Sequence, residues 1–300
     1  MAVTVVALAV GAVLVWRAWH VRAMEALSAR RRPLGKNGIV IGGDSFELKH
    51  EGAPAVLLVH GAGDTPQTLR YLGDALHARG FHVCAPLLPG HGRTIHDFRR
   101  VSAPVLIDAA IASYDSLRAS HDWVGVIGLS MGGALAVHVA AARPGLPALG
   151  LVAPYLAMPP HIERAAALAP LWGMIAPVVR SSEGKSVLDE AEAEKNLAYG
   201  VFTAVALRAL RDVARSAAQH LPRVTAPTVM IQSREDNRIS VADGERAFAL
   251  LGAPIKELEW VTGAAHIITV DFGRDAVIAK LAAFMETHAP PRALPSASPM

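Results

Sequence analysis

The five residues Gly128-Leu129-Ser130-Met131-Gly132 restrict the fold of this chain more than any other stretch of it. They follow the apolar run Trp123-Val124-Gly125-Val126-Ile127, which reads as a buried strand, and they lead into Met131 to Arg143, which has helical spacing. So tight a turn strains the backbone of its central serine and brings the helix close against the strand. Small neighbours are therefore required, and Gly128, Gly132 and Gly133 supply them.

The same alternation recurs along the chain. Ala55 to Val59, His82 to Ala85, Leu149 to Val152 and Thr228 to Ile231 are almost continuously apolar, as strands hidden on both faces must be. Between them, Thr68 to Arg79 and Pro104 to Ala119 have helical spacing and end close to Gly, Pro or polar residues. The expected fold class is α/β: a mostly parallel central sheet flanked by helices. With 300 residues, 52% of them hydrophobic and 18% charged, one well-filled domain over residues 39–288 is the simplest reading. The interval from Val152 to Thr228 is too long for a plain loop. Its helix-forming stretches, Ala165 to Val179 and Asn196 to His220, predict a small helical insertion above the sheet, at about residues 155–222. After a last helix at Ala276 to Thr287, the Pro/Ser/Ala-rich residues 289–300 read as a disordered tail.

The N-terminus has a different character. No charge occurs from Ala2 to Trp16, and a basic run ending at Arg32 follows. Residues 1–22 are expected to be an uncleaved membrane anchor, with Trp16 and Trp19 at the interface and Arg17 snorkelling outward; residues 23–38 are expected to be a basic linker. The opening Met1-Ala2-Val3-Thr4 lacks the basic region of a secretory signal, and positive charge after the apolar segment predicts a cytoplasmic domain. The alternative is a cleaved signal and an exported protein. The net charge of +3 owes much to Arg17, Arg22, Arg30, Arg31 and Arg32. No basic stripe marks the rest, so nucleic acid is not an expected partner. The single cysteine, Cys84, has no partner for an internal disulfide and reads as a buried strand residue.

Ser130 on its turn is a candidate nucleophile. A serine hydroxyl reacts poorly at neutral pH unless a base is within hydrogen-bond reach and an acid holds that base in the right tautomer. On this kind of sheet the chain order is serine, acid, histidine. The loop Ser233-Arg234-Glu235-Asp236-Asn237-Arg238 offers two carboxylates where the acid belongs. Asp236 is preferred, since the loop then turns into a helix near Ser240, and Glu235 is the alternative. Of the thirteen histidines, His266 follows the run Lys256 to Val261 in the small-residue loop Gly263-Ala264-Ala265-His266, whereas His121, His161, His220 and His288 lack the right order or setting. Acyl transfer also needs donors for an oxyanion. The backbone amide of Met131 follows the nucleophile, and that of Ala62, in His60-Gly61-Ala62-Gly63, stands where a second donor is expected. His60 reads as a brace for that loop, and Pro89-Gly90-His91-Gly92 as a structural turn.

Together these motifs resemble the small-lid α/β-hydrolases that include bacterial carboxylesterases and monoacylglycerol lipases. The likeness runs from about Ala55 to Glu286, and Gly263-Ala264-Ala265-His266-Ile267-Ile268-Thr269-Val270-Asp271 is its most specific part. The resemblance implies an α/β-hydrolase fold and cofactor-free, metal-free cleavage of carboxylic esters through an acyl-enzyme on Ser130. Asp236 and His266 would complete the triad, and Ala62 and Met131 the oxyanion hole. The expected partners are a small-molecule or lipid ester and a membrane. Alternatives are a monoacylglycerol lipase or lysophospholipase working at that membrane, and a non-catalytic tethered binding protein, against which the presence of all three triad residues argues.

Overall fold

The computed structural model describes residues 2–181 and 185–291. From residue 292 onward, the expected tail lies outside the described residues. Seven strands form one sheet: β1 (Phe46–Leu48), β2 (Ala55–Val59), β3 (His82–Ala85), β4 (Val124–Leu129), β5 (Leu149–Val152), β8 (Thr228–Ser233) and β9 (Lys256–Val261). Their order is β1-β3-β2-β4-β5-β8-β9, and only β1 runs antiparallel to its neighbour. A two-stranded ribbon of β6 (Val178–Arg180) and β7 (Val201–Thr203) stands apart from it. The central strands β2, β4, β5 and β8 are buried at every residue. The edge strand β9 instead alternates, with Glu257 and Glu259 outward, and charge on an open edge discourages further pairing.

Helices cover both faces: α2 (Arg70–Ala78), the short α3 (Ile95–Phe98), α4 (Ala103–Arg118), α5 (Met131–Ala142), α10 (Val241–Leu250) and α11 (Arg274–His288). Helix α5 is buried from Met131 to Ala140, with α4 and the long lid helix α9 (Ala204–His220) against it. Leu207, Leu210, Val213, Ala214 and Ala217 form the buried stripe of α9. Each Leu or Val so buried contributes about 1.5–3 kcal/mol relative to exposure, so packing rather than helix propensity holds α9 down.

The insertion differs in detail from its sequence expectation. Ala165 to Val179 is not one helix: α6 (Pro160–Ala167) ends, the single turn α7 (Ala169–Trp172) follows, and the chain then enters β6. Pro170 starts α7 and Pro177 precedes β6, and proline is at home at a helix start but not within one. Asn196 to His220 likewise becomes helical only from Ala204. There Thr203 caps α9 by accepting from the Ala206 amide at 3.0 Å, while residues 201–203 pair with β6. The short α8 (Glu190–Lys195) completes the insertion.

Helix α1 runs unbroken over Ala2–Arg31, through the stretch where the sequence reading begins a linker at residue 23. Its 30 residues reach about 45 Å. Met24-Glu25-Ala26-Leu27 are strong helix formers whatever their charge, so the helix continues where hydropathy stops. Among the described residues, α1 is the one helix long and apolar enough to cross a membrane, a property that a signal sequence shares. Its first half is exposed, whereas Trp16, Arg17 and His20 hydrogen-bond the carbonyls of Ile175, Met174 and Val178 in the lid, and the Ile95 amide donates to Glu25.

Candidate active site

The turn between β4 and α5 has the strained geometry its residues predict. Ser130 has φ 56° and ψ −119°, a conformation that L-residues avoid unless the surroundings enforce it. The enforcement is visible in hydrogen bonds. The Ser130 amide donates to Val152 at 2.9 Å, and its carbonyl accepts from Gly133, Ala134 and Tyr155. Close packing removes other options: a Cβ at Gly128 would lie 2.1 Å from the Gly132 oxygen, and one at Gly132 would lie 2.0 Å from the Val59 oxygen.

Two further loops at the carboxyl ends of the strands bring groups to Ser130, as expected for the open end of a parallel sheet. The loop after β9 carries His266, whose Nε2 is 2.8 Å from Ser130 Oγ. Its Nδ1 faces the loop after β8, 2.8 Å and 3.0 Å from the two carboxyl oxygens of Asp236. The Asp236 side chain is fully buried and accepts from the Arg238 and Ile239 amides and from Gln232 Nε2, at 2.7, 3.0 and 2.9 Å. A carboxylate so supplied with donors is fixed in direction. Glu235, the alternative acid, instead accepts from the Gly263 amide at 3.2 Å and so ties the two loops together.

The loop after β2 closes the other side. A Cβ at Gly61 would come within 3.3 Å of Ser130 Cβ, and Ala62 lines the same cavity as Ser130. Met131 is the first residue of α5, where an amide has no carbonyl four residues back to bond. The two candidate donors therefore flank the serine. His60 braces their loop: Nδ1 donates to the Gly61 carbonyl at 2.9 Å, and Nε2 accepts from the Leu88 amide at 3.0 Å. Burial, with the neighbouring His91 second, depresses the His60 pKa to about 3, and burial depresses that of His91 to about 4. Both rings stay neutral and serve as struts.

Asp271, to which the sequence assigns no role, stands beside the histidine loop. Buried, it accepts hydrogen bonds from the amides of Ala265 and Phe272 and, across the lid boundary, of Leu188 and Asp189, all at 2.7–2.9 Å. The carbonyl of Ser186 meanwhile accepts from His266 and Ile267. The lid and the histidine loop are thus stitched together through backbone. A lone acid amid Ile267-Ile268-Thr269-Val270-Asp271-Phe272 was the available signal, since an unpaired charge is not left among apolar residues.

These groups open into a cavity of about 720 Å³ roofed by the lid, with Ile162, Trp172, Val179, Phe202, Leu207 and Leu210 among its walls. The arrangement can pass a proton from a hydroxyl to an imidazole oriented by a carboxylate, beside a pocket suited to an apolar chain.

Comparison with known proteins points the same way. The profile of the family described as "Serine aminopeptidase, S33" matches residues 51–272. The chain is 26% identical to a thermostable monoacylglycerol lipase of Bacillus sp. (strain H-257), over 84% of this chain and 97% of that protein. It is 25% identical to a carboxylesterase of Bacillus subtilis (strain 168), over 78% and 93%. Among solved structures, a metagenome-derived lipolytic enzyme superposes with a TM-score of 0.76 at 27% identity, covering 83% of this chain and 100% of that one.

Proposed function

Because the chain belongs to the serine aminopeptidase S33 family of α/β-hydrolases, we propose that it cleaves carboxylic esters through an acyl-enzyme on Ser130. The observation that carries this reading is the unbroken hydrogen-bond chain from Ser130 Oγ through His266 to the fully buried Asp236. His266 takes the serine proton as Oγ attacks the ester carbonyl, and Asp236 stabilises the imidazolium that forms. Negative charge on the former carbonyl oxygen is met by the Ala62 and Met131 amides, and the positive end of α5 adds to their effect. His266 then returns its proton to the departing alcohol. Water repeats the sequence on the acyl-enzyme and releases the acid. Wild-type protein is expected to be labelled by a fluorophosphonate and to hydrolyse p-nitrophenyl esters. Ser130→Ala should lose both, and retained turnover in that variant would remove the assignment.

A lipid monoester, as in a monoacylglycerol lipase or lysophospholipase, is favoured by one specific arrangement. The exposed lid residues Met174 and Ile175, whose carbonyls bond Arg17 and Trp16, stand where α1 reaches the lid, and the exposed Leu168 and Leu171 come shortly before them in the chain. We read residues 1–22 as a membrane anchor that leaves the catalytic domain on the cytoplasmic side, with the exposed Arg22 and Arg30 toward the anionic leaflet. Full-length protein should sediment with membranes and resist alkaline carbonate, its N-terminus intact by sequencing. A mature chain beginning after residue 20 would show export through a cleaved signal instead.

A further inference from the structure

The carbonyls on either side of Ala62 are both held. That of Gly61 accepts from His60 Nδ1, and that of Gly63 accepts from the amide of Tyr199 at 2.9 Å. Tyr199 belongs to the lid, in the stretch between α8 and β7. Gly63 has φ 68°, and a Cβ there would lie 3.6 Å from Phe98 Cζ and 3.9 Å from Tyr199 Cδ2, so the turn is packed against both rings. The two rings stack with centroids 4.5 Å apart and 14° between their planes. The Tyr199 hydroxyl donates to the Gly90 carbonyl and accepts from the Arg93 amide, both at 3.0 Å. Wherever Tyr199 sits, one side of the loop that presents the Ala62 amide sits with it.

Arg32, at the end of α1, holds Tyr199 in turn. Its guanidinium carbon lies 4.0 Å from the centre of the tyrosine ring, and since Phe98 is stacked on one face the cation covers the other. Nη1 donates to the Leu197 carbonyl at 3.1 Å and Nη2 to Ser28 Oγ at 2.6 Å, so one side chain joins the last turn of α1 to the lid just before Tyr199. Arg32 is 5% exposed, these acceptors are neutral, and its Nε is buried without a partner among the described residues. Burial lowers its pKa, against opposing effects of Tyr199 and Glu25. A buried cation so thinly compensated does little for stability, and a methionine would fill the space without that penalty. Stability alone therefore gives no reason for an arginine. A planar cation that stacks on a ring while reaching two acceptors gives one. Residue 32 also lies outside residues 51–272, the region shared with the family, so this support is added from beyond it.

We propose that Arg32 is a positioning residue for the reaction: by clamping Tyr199 against Phe98 it fixes the Gly63 carbonyl, and with it the direction of the Ala62 amide toward the oxyanion. The last turn of α1 thereby takes part in setting up the site as well as tethering it. This rests on the serine-hydrolase reading above.

The test uses full-length protein: wild type, Arg32→Met, Arg32→Lys and, as a control on the same helix, the exposed Arg30→Met, with the melting temperature recorded for each. Labelling of Ser130 by a fluorophosphonate yields two separate quantities, the fraction labelled at completion and the rate constant. The phosphoryl oxygen of the probe calls on the same two amides as an ester carbonyl. Arg32→Met is expected to label to the wild-type fraction but about ten- to a hundredfold more slowly, with kcat for p-nitrophenyl butanoate lowered in step and KM within a few-fold. Its melting temperature should stay within a few degrees of wild type, because the change removes a buried charge. Arg32→Lys, which keeps a cation over the ring, should label within about fivefold of the wild-type rate, and Arg30→Met within about twofold. In a Tyr199→Leu background, Arg32→Met should slow labelling by less than about threefold more, since the path is already broken. A rate constant in Arg32→Met within twofold of wild type would overturn the proposal. So would a smaller labelled fraction at an unchanged rate constant, which is what a brace for folding alone produces, and so would the full loss recurring in the Tyr199→Leu background. Wild-type protein that the probe does not label overturns the serine-hydrolase reading itself. Labelling without ester turnover removes only the ester, and the labelling rates still decide the role of Arg32.

Discussion

The floor of the cavity and its roof are held by different means. On the floor, the position of Ser130 is set by backbone: a left-handed serine, glycines with no room for a Cβ, and a carbonyl that accepts three amides. Apart from the backbone bonds at Ser186 and Tyr199, the lid is held mainly by side chains, through the buried stripe of α9 and the bonds from Trp16, Arg17 and His20 to lid carbonyls. Backbone geometry tolerates almost no change, so the reacting groups sit on it. A side-chain-packed roof can vary in sequence and shape, and that is where chain-length and membrane preference can be adjusted without disturbing the chemistry.

The largest effect that could break this contrast belongs to Asp236. Asp236→Asn would retain the shape of the floor but present an amide donor to His266 Nδ1 and so favour the wrong tautomer. Turnover of p-nitrophenyl esters should fall by about 10⁴-fold, with the melting temperature changed far less than activity. A loss below about tenfold would mean that the floor does not depend on this orientation.

Asp271 belongs to both regions, and it sharpens the comparison. Asp271→Asn replaces one of the two acceptor oxygens that collect amides from Leu188 and Asp189 of the lid and from Ala265 beside His266. Acting through His266, it should lower kcat about ten- to a hundredfold while leaving KM within a few-fold. Hydrogen exchange should quicken at Leu188, Asp189 and Ala265 together. Exchange that quickens at only one of the two segments would show that lid and floor are not coupled through this residue.

These residues also show what the sequence made legible. Gly128, Ser130, Gly132 and the apolar strands were readable because strain and double-sided burial each permit few residue types. His266 and Asp236 came within reach through chain order. The stitching by Asp271 was not, because two of its donors come from more than eighty positions away and are backbone amides, which any residue supplies. The ribbon of β6 and β7 was missed for a related reason: three-residue strands carry no periodicity, and pairing alone makes them strands. The antiparallel β1 is the same case. Helix α1 overran its expected boundary since charge marks the edge of a membrane, not the end of a helix.

A milder change addresses the roof. Leu171→Ser with Met174→Ser removes exposed apolar surface while leaving the floor untouched. Hydrolysis of a short soluble ester should stay within about twofold. Transfer data give roughly 1.5–3 kcal/mol for withdrawing each such side chain from water, so partial immersion of two should be worth about tenfold in partitioning. Flotation with anionic vesicles, using protein lacking residues 2–16 so that α1 cannot dominate, measures it. Equal flotation by the variant and its parent would mean that the lid does not touch the bilayer.

The smallest expected effect concerns pH and again lies in the floor. His60 and His91 titrate near 3 and 4 in the folded protein, against about 6.5 in an unfolded chain. Their neutral state contributes stability that is complete above pH 6.5 and is lost as pH falls toward those folded values. Asp64 has the opposite sign: its folded value of about 6 exceeds the unfolded value, so the folded state takes up its proton first and gains relative stability as pH falls from 6 to 4. From these three groups alone, two protons against one give a net uptake of about one on unfolding between pH 6 and pH 5, about 1.4 kcal/mol of stability lost per pH unit, and His82 and His138, also depressed by burial, act in the same direction. Asp64→Asn removes the opposing proton and should steepen the slope by about 1.4 kcal/mol per pH unit. Urea unfolding at pH 7, 6 and 5 reads both slopes directly. A wild-type protein equally stable at all three would mean that the buried histidines are not the neutral struts on which the rigid floor depends.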